Sequence, residues 1–336
     1  MFAPFVAAFV TLVSSTGERN VDVGDIPSFT FERPLVNGVL VGSLTDLRGA
    51  PALFEFWGPR CPGCVQSGVP LALELQETWG EDLQVVLVEV QGAGHDEAAR
   101  FALRQRWFGG RSLWTSEVPF WPGGNALPTC VLLGNEGQIL LEGDPRTQSR
   151  EIGRLVAAEV RARRTAPSSV PAALRPAWTE ERRGNFGRAS RLLDELEARA
   201  TSDPLAAARQ GEGIAVLRRA IEARFAAARA LAEAGYLDEF DVRLDALRVG
   251  AKEDSAASRR VAELAAKWSD VGARTEREAS RQLSRILSRH FESAGAPETV
   301  RDLESFARSQ AGTKAAARAA EWARLAAPPA PGSARR

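Results

Sequence analysis

The chain has 336 residues, 44% hydrophobic and 26% charged, a balance that excludes a disordered polypeptide and leaves room for two domains. Its charges cancel overall but not locally, with 10 basic against 17 acidic residues in 1–150 and 33 against 26 in the remainder. The basic half intersperses acids among its arginines, which excludes a nucleic-acid footprint, and 3 cysteines with 2 histidines offer no second CxxC for a zinc site built from two ligand pairs.

Residues 2–13 form a short apolar run followed by Ser14-Ser15-Thr16-Gly17, with no Lys or Arg before Arg19. Residues 1–17 read as an export signal cleaved near Ser15, which predicts an extracytoplasmic, periplasmic protein, with a cytoplasmic one as the alternative. A run of about a dozen residues is too short to span a bilayer, so no membrane span is expected in the mature chain.

Residues 52–56 read as a buried strand, whose alternation sets Leu53, Glu55 and Trp57 on one face and Phe54 and Phe56 on the other. Cys61-Pro62-Gly63-Cys64 follows, and residues 65–79 read as a helix. The first thiol is thereby placed near the unsatisfied N–H groups and positive dipole end of a helix, which stabilise a thiolate. The second sits one turn in, where it can attack the first. The alternatives are an inert structural disulfide or half of a zinc site, the latter left with only Cys130, His95 and His290 to complete it.

Residues 83–90 predict a β-branched strand suited to a sheet covered on both faces, and 96–106 the helix that crosses back over it. His95 reads as a helix-start residue. The next strand spans 127–133, and Asn135-Glu136-Gly137 turns it into a hairpin partner at 138–142. Cys130 on that strand reads as a small buried hydrophobe, with a resolving or regulatory thiol as the alternative. Residues 150–164 form a helix in which Ile152, Leu155, Val156 and Val160 share a face.

Several segments in this order resemble thioredoxin-fold redoxins of the TlpA/ResA type, which are related to the AhpC/TSA peroxiredoxins. They are Val23-Gly24-Asp25-Ile26-Pro27-Ser28-Phe29, Asn37-Gly38, Ser43-Leu44-Thr45-Asp46-Leu47-Arg48-Gly49, the CxxC strand and helix, Leu127-Pro128-Thr129 and Asn135-Glu136-Gly137. The resemblance implies an α/β thioredoxin-like domain over residues 21–164, a central mixed sheet flanked by helices, with no bound cofactor and no metal. It implies disulfide exchange with protein thiols and disulfides, fed by an unidentified electron donor. Cys61 attacks, Cys64 resolves, buried Glu55 accepts the proton of Cys64, and a cis Pro128 faces the CxxC and positions the partner chain. Trp57, Arg60 and Thr129 are the implied substrate contacts, with Trp121 and the loop 118–125 adding apolar surface around the sulfurs.

Two alternatives stay open at this point: Pro128 as a trans edge-strand proline, and Glu55 as an edge-exposed acid pairing with Arg60 or Arg48. The chain also departs from the family. Arg60 stands where thioredoxins carry Trp, and Pro62-Gly63 reverses the familiar order, both of which favour a more oxidising couple. A peroxiredoxin-type peroxidase would need Thr or Ser three residues before its cysteine, where this chain has Gly58, so the AhpC/TSA likeness is one of fold and not of chemistry.

Residues 165–177 have linker composition, and from 178 no strand pattern appears. Five apolar faces predict an all-α domain of helical hairpins over 178–326: Leu192 to Leu196, Ile214 to Leu231, Leu237 to Leu247, Val261 to Val271, and Leu283 to Phe291. Junctions fall at Gly184-Asn185-Phe186-Gly187, Gly235-Tyr236-Leu237 and Gly295-Ala296-Pro297. The first two share a Gly-x-(aromatic or Leu) entry that is similar to the second helix of tetratricopeptide hairpins, without keeping that family's period. Arrays of this kind bind other proteins, so the rival function is an interaction scaffold whose thioredoxin-like part is a redox-sensitive module. Residues 327–336 read as a disordered tail.

Overall fold

Strand β2 (Ala52–Trp57) is buried along its whole length and lies at the centre of the first half. Its alternation separates two cores: Leu53 and Trp57 pack with Cys64, Leu132 and Ile152, whereas Phe54 and Phe56 pack with Leu44, Val86, Phe120 and Ile139. Strand β3 (Gln84–Glu89) pairs parallel to one edge of β2, and β6 (Thr129–Leu133) antiparallel to the other. With β4 (Leu113–Thr115) outside β3 and β7 (Ile139–Gly143) outside β6, the order is β4-β3-β2-β6-β7, the mixed sheet expected from the sequence. A separate parallel pair joins β1 (Asn20–Val21) to β5 (Trp121–Pro122). The computed structural model describes residues 20–33, 35–107, 112–123, 126–166, 170–200, 204–292 and 297–327. The export segment, the end of the 118–125 loop, part of the linker, the Gly295-Ala296 junction and residues 328–336 of the tail lie outside these.

Parallel neighbours require crossovers, here α1 (Val69–Trp79) between β2 and β3 and α2 (His95–Arg104) between β3 and β4. The helix after the CxxC does not begin regularly. Cys64–Gly68 form a π-turn closed by Val69 N–H on Cys64 O. Pro70 follows without the N–H that an α-helix would direct at the carbonyl four residues back, which is a local reason for the widened turn. Helix α3 (Pro145–Arg164) starts earlier than expected because Asp144 caps it, accepting from Arg146 N, and Pro145 suits the first turn. Its Ile152, Val156 and Val160 are buried against the sheet.

The second half is helical: α4 (Arg175–Arg182), α5 (Phe186–Ala200), α6 (Pro204–Glu233), α7 (Leu237–Ala251), α8 (Ser255–Lys267), α9 (Val271–Glu292), α10 (Pro297–Ser309) and α11 (Lys314–Ala326). The five expected faces fall in α5 to α9, except that Val271 opens α9 and does not extend the face of α8. Helices α4 to α8 enclose one core around Phe186, Ile221, Phe225 and Phe240, and α9 to α11 a second around Leu283, Leu303 and Phe306. Helices α10 and α11 lie beyond the five expected faces; α11 buries Ala315, Ala319 and Ala323 where the other faces bury larger side chains. It also reaches back to the first domain. Leu325 belongs to the core beneath β2, with Trp322 and Ala326 packed against it, and Arg324 Nη2 donates to Asp96 Oδ1 at 3.0 Å. Among the described residues, no helix is long and apolar enough to cross a membrane.

Candidate active site

Cys61 and Cys64 are joined in a disulfide at the end of β2. Cys61 N–H donates to Gly58 O at 3.0 Å, and Val65 N–H donates to Cys61 O at 3.2 Å, so Cys61 is the entry residue of the helix. The N–H of Cys64 points at Cys61 Sγ, 3.1 Å away. A first-turn amide thus donates to the sulfur, the local geometry that favours charge on Cys61. Cys61 is 7% exposed and Cys64 is 0% exposed, so within the pair only Cys61 reaches solvent.

The Leu127-Pro128 peptide is cis, which closes the trans edge-strand alternative. Pro128 lies across the start of the CxxC helix: a Cβ on Gly63 would stand 3.0 Å from Pro128 Cδ, and one on Gly68 3.0 Å from Pro128 Cβ. The domain is thioredoxin-like. That conclusion rests on the sheet order, on a CxxC at the end of the central strand, and on a cis proline leading into the antiparallel neighbour opposite it.

Glu55 sits mid-strand at 1% exposure, paired across the sheet with Leu87 and Cys130. The edge-exposed alternative is therefore wrong: β2 is flanked on both sides, the Arg60 guanidinium is engaged by Gln91, and Arg48 lies against Gly137. Glu55 Oε1 is buried with no hydrogen-bond partner. Burial, and secondarily the negative charge of Asp144, raises the carboxyl well above its ordinary range. The space for this carboxyl comes from Gly68, where a Cβ would lie 2.1 Å from Oε1. Gly68→Ala is accordingly expected to displace Glu55 and destabilise the domain by about 1–3 kcal/mol despite alanine's better helix propensity. Chemical denaturation measures this, and an unchanged midpoint would contradict the packing described.

Cys130 is buried and free, as the simpler reading expected. Burial foremost, then the charges of Glu55, Asp144 and Glu142, raises its pKa and keeps it a neutral thiol. Trp57 requires correction as a substrate contact. Its ring is 0% exposed, edge-on to Trp107 at 4.8 Å and stacked on Phe101 at 5.8 Å, because strand alternation sends it under the sheet. The Thr129 side chain is also turned inward, its hydroxyl donating to Ala126 O at 3.0 Å. Trp121 is half-buried, edge-on to Phe56. His95 opens α2, with Nδ1 3.0 Å from Ser116 Oγ and its ring against Trp114, and burial followed by the Arg33 charge lowers its pKa.

Three features beside the sulfurs had no mark in the sequence. One is Gly68. A second is the Asp144 and Arg146 pair: Arg146 Nε and Nη2 donate to the carboxylate at 2.9 and 2.6 Å, and Nη1 would stand 3.1 Å from a Cβ on Gly63. The third is Gln91, whose Oε1 accepts from Arg60 N at 2.7 Å. Each depends on chain crossings that spacing along the sequence does not encode. Among the described residues, no group of three or more His, Cys, Asp and Glu is placed to hold a metal ion.

No protein-family model matches the chain, and no curated protein matches it. Solved structures do. A thioredoxin-like superfamily protein is similar at 19% identity over 41% of this chain and 96% of its own, with a TM-score of 0.35. A thiol-disulfide isomerase from Corynebacterium glutamicum is similar at 20% identity over 43% and 96%, with a TM-score of 0.30. A thiol:disulfide interchange protein of the thioredoxin family from Chlorobium tepidum TLS is similar at 17% identity over 42% and 99%, with a TM-score of 0.32. Scores at this level add nothing to the fold, which stands on the sheet order and the geometry above.

Proposed function

We propose that the protein is a thiol-disulfide oxidoreductase of the TlpA/ResA type that exchanges disulfides with protein substrates outside the cytoplasm. The observation that carries this reading is the Cys61 and Cys64 pair at a helix start, opposite cis Pro128, with the buried Glu55 carboxyl behind it. In the reducing direction the Cys61 thiolate attacks a substrate disulfide, forming a mixed disulfide and releasing one substrate thiolate. Cys64, giving its proton to the Glu55 carboxylate, attacks Cys61 Sγ and releases the second. Two electrons pass from the CxxC dithiol to the substrate, leaving the enzyme disulfide, which an external dithiol donor reduces again. The oxidising direction runs the same steps in reverse. The raised pKa of Glu55 supports its part, since a buried carboxylate that holds a proton more tightly than an exposed one is a better acceptor for the proton of Cys64.

Equilibration of the Cys61 and Cys64 pair with glutathione buffers tests the reading. A potential near about −270 mV marks a reductant, and one between about −120 and −180 mV an oxidant or isomerase. Two sulfurs that never form a disulfide would remove the enzyme reading in favour of a scaffold.

Glu55 also makes a stability prediction. Its folded-state pKa lies above the ordinary 4.5, so between the two values the folded chain binds more protons than the unfolded chain, and stability falls as pH rises. Glu55→Gln is expected to flatten this slope and to be more stable than the wild type by about 1–3 kcal/mol above the folded pKa, while slowing release of the mixed disulfide. Denaturation curves across pH 5–9 read the first effect and single-turnover kinetics the second. Parallel pH slopes for the two proteins would refute the burial argument.

A further inference from the structure

The loop that carries Cys61 is held from outside the CxxC segment. Residues after β3 run past it, and Gln91 grips Arg60 twice: its Oε1 accepts the Arg60 main-chain N–H at 2.7 Å, and its main-chain O accepts from Arg60 Nη2 at 3.0 Å. The Gln91 side chain lies on Gly58 so closely that a Cβ there would meet Gln91 Cγ at 2.2 Å and Cδ at 2.3 Å. Gly58 O in turn accepts from Cys61 N at 3.0 Å, so the clasp touches Gly58 and Arg60, on both sides of Pro59, between β2 and the nucleophile. Gln91 is itself anchored. Buried Glu89, at the end of β3 beside Trp57, accepts from Gln91 N at 2.7 Å through Oε1.

We propose that Gln91 is a positioning residue of the exchange: anchored by Glu89, it fixes the Gly58 to Arg60 loop so that Cys61 Sγ stays on the Cys64 amide. This rests on the oxidoreductase reading, and it explains two sequence features that the reading leaves unused. Gly58, which differs from the peroxiredoxin pattern, is the residue that admits the Gln91 side chain. Arg60, which replaces the thioredoxin Trp, has its guanidinium turned to the Gln91 carbonyl and is not a freely moving cation. Freed from the side-chain grip, the loop lets the sulfur leave the amide, which weakens support for the thiolate.

The test uses Gln91→Met, which keeps the side-chain length and removes the Oε1 acceptor of the Arg60 main-chain N–H while leaving the main-chain O in place. In the full-length reduced protein, the Cys61 thiolate is titrated by its absorbance near 240 nm, and the rate of attack on a small aromatic disulfide is followed across pH 4–9. The expected result is a Cys61 pKa raised by at least about half a unit and an attack rate at pH 6 lowered about three-fold, with the high-pH rate and the thermal midpoint little changed. A merely structural role would move the midpoint and leave the titration in place. Should Gln91→Met not be recovered folded, Gln91→Asn withdraws the carbonyl from Arg60 and is read in the same two ways. A Cys61 titration and pH–rate profile identical to wild type in a folded variant overturns the proposal. Wild-type protein that titrates but exchanges with no disulfide overturns the oxidoreductase reading instead.

Discussion

Cys61→Ser is expected to abolish disulfide reductase turnover, by more than roughly a thousand-fold, because it removes the member of the pair that reaches solvent and faces the first-turn amide. Cys64→Ser should fail differently. Its Cys61 can still attack, but no second sulfur lies inside the helix to break the mixed disulfide, so a covalent adduct with substrate accumulates. The two variants are compared by reduction of a disulfide-bonded protein with dithiothreitol as donor, and by mass spectrometry of the trapped species. Adducts forming on Cys61→Ser in place of Cys64→Ser would reverse the assigned roles. Turnover unaffected by both changes would leave the thioredoxin-like domain without a redox part and favour the scaffold.

The second large effect concerns the helical half. Gly250, near the end of α7, runs against the turn between α4 and α5, where an added Cβ would meet Gly184 O at 2.2 Å and the Phe186 ring at 2.5 Å. The carbonyl is main chain, and Phe186 is buried at 1% exposure, so neither can move aside cheaply. Gly250→Ala should therefore lose about 2–3 kcal/mol of stability, even though alanine is the better helix former by roughly 1 kcal/mol. Gly153 on α3 is the control. Nothing lies within 4 Å of a Cβ built there, so Gly153→Ala should stabilise by up to about 1 kcal/mol. Urea unfolding followed by far-ultraviolet dichroism measures both, and a Gly250→Ala variant as stable as wild type would show that α7 stands off the α4 to α5 turn.

Sequence reasoning reached the first domain through patterns that are local. The apolar run before the CxxC, the β-branched strand at 84–89 and the Asn135-Glu136-Gly137 turn each specify their own conformation, and the alternation of β2 correctly divided Leu53 and Trp57 from Phe54 and Phe56. The same alternation was misjudged in its consequence for Trp57, since facing the CxxC side of the sheet means burial under α2 and its flanking residues, not exposure at the site. In the second half, long leucine-bearing faces were legible. Helices α4, α10 and α11 were not: α4 is a single helix of eight residues, α10 offers only Leu303 and Phe306 as large buried side chains, and α11 buries alanines.

What the sequence determined by itself is the chemistry available: two sulfurs spaced one turn apart at a strand-to-helix junction, an acid on the strand that delivers them, and a proline entering a later strand. Those are properties of neighbours along the chain, where the periods of strand and helix dictate geometry. Tertiary structure alone decided that Glu55 is sealed beneath Gly68, that Gln91 clasps the loop before Cys61, that Arg146, held by Asp144, stands over Gly63, and that α11 closes back on the core under β2. Each joins residues from separate elements, and whether a carboxyl is buried or a glycine is crowded depends on what another segment brings to it, which no local period records.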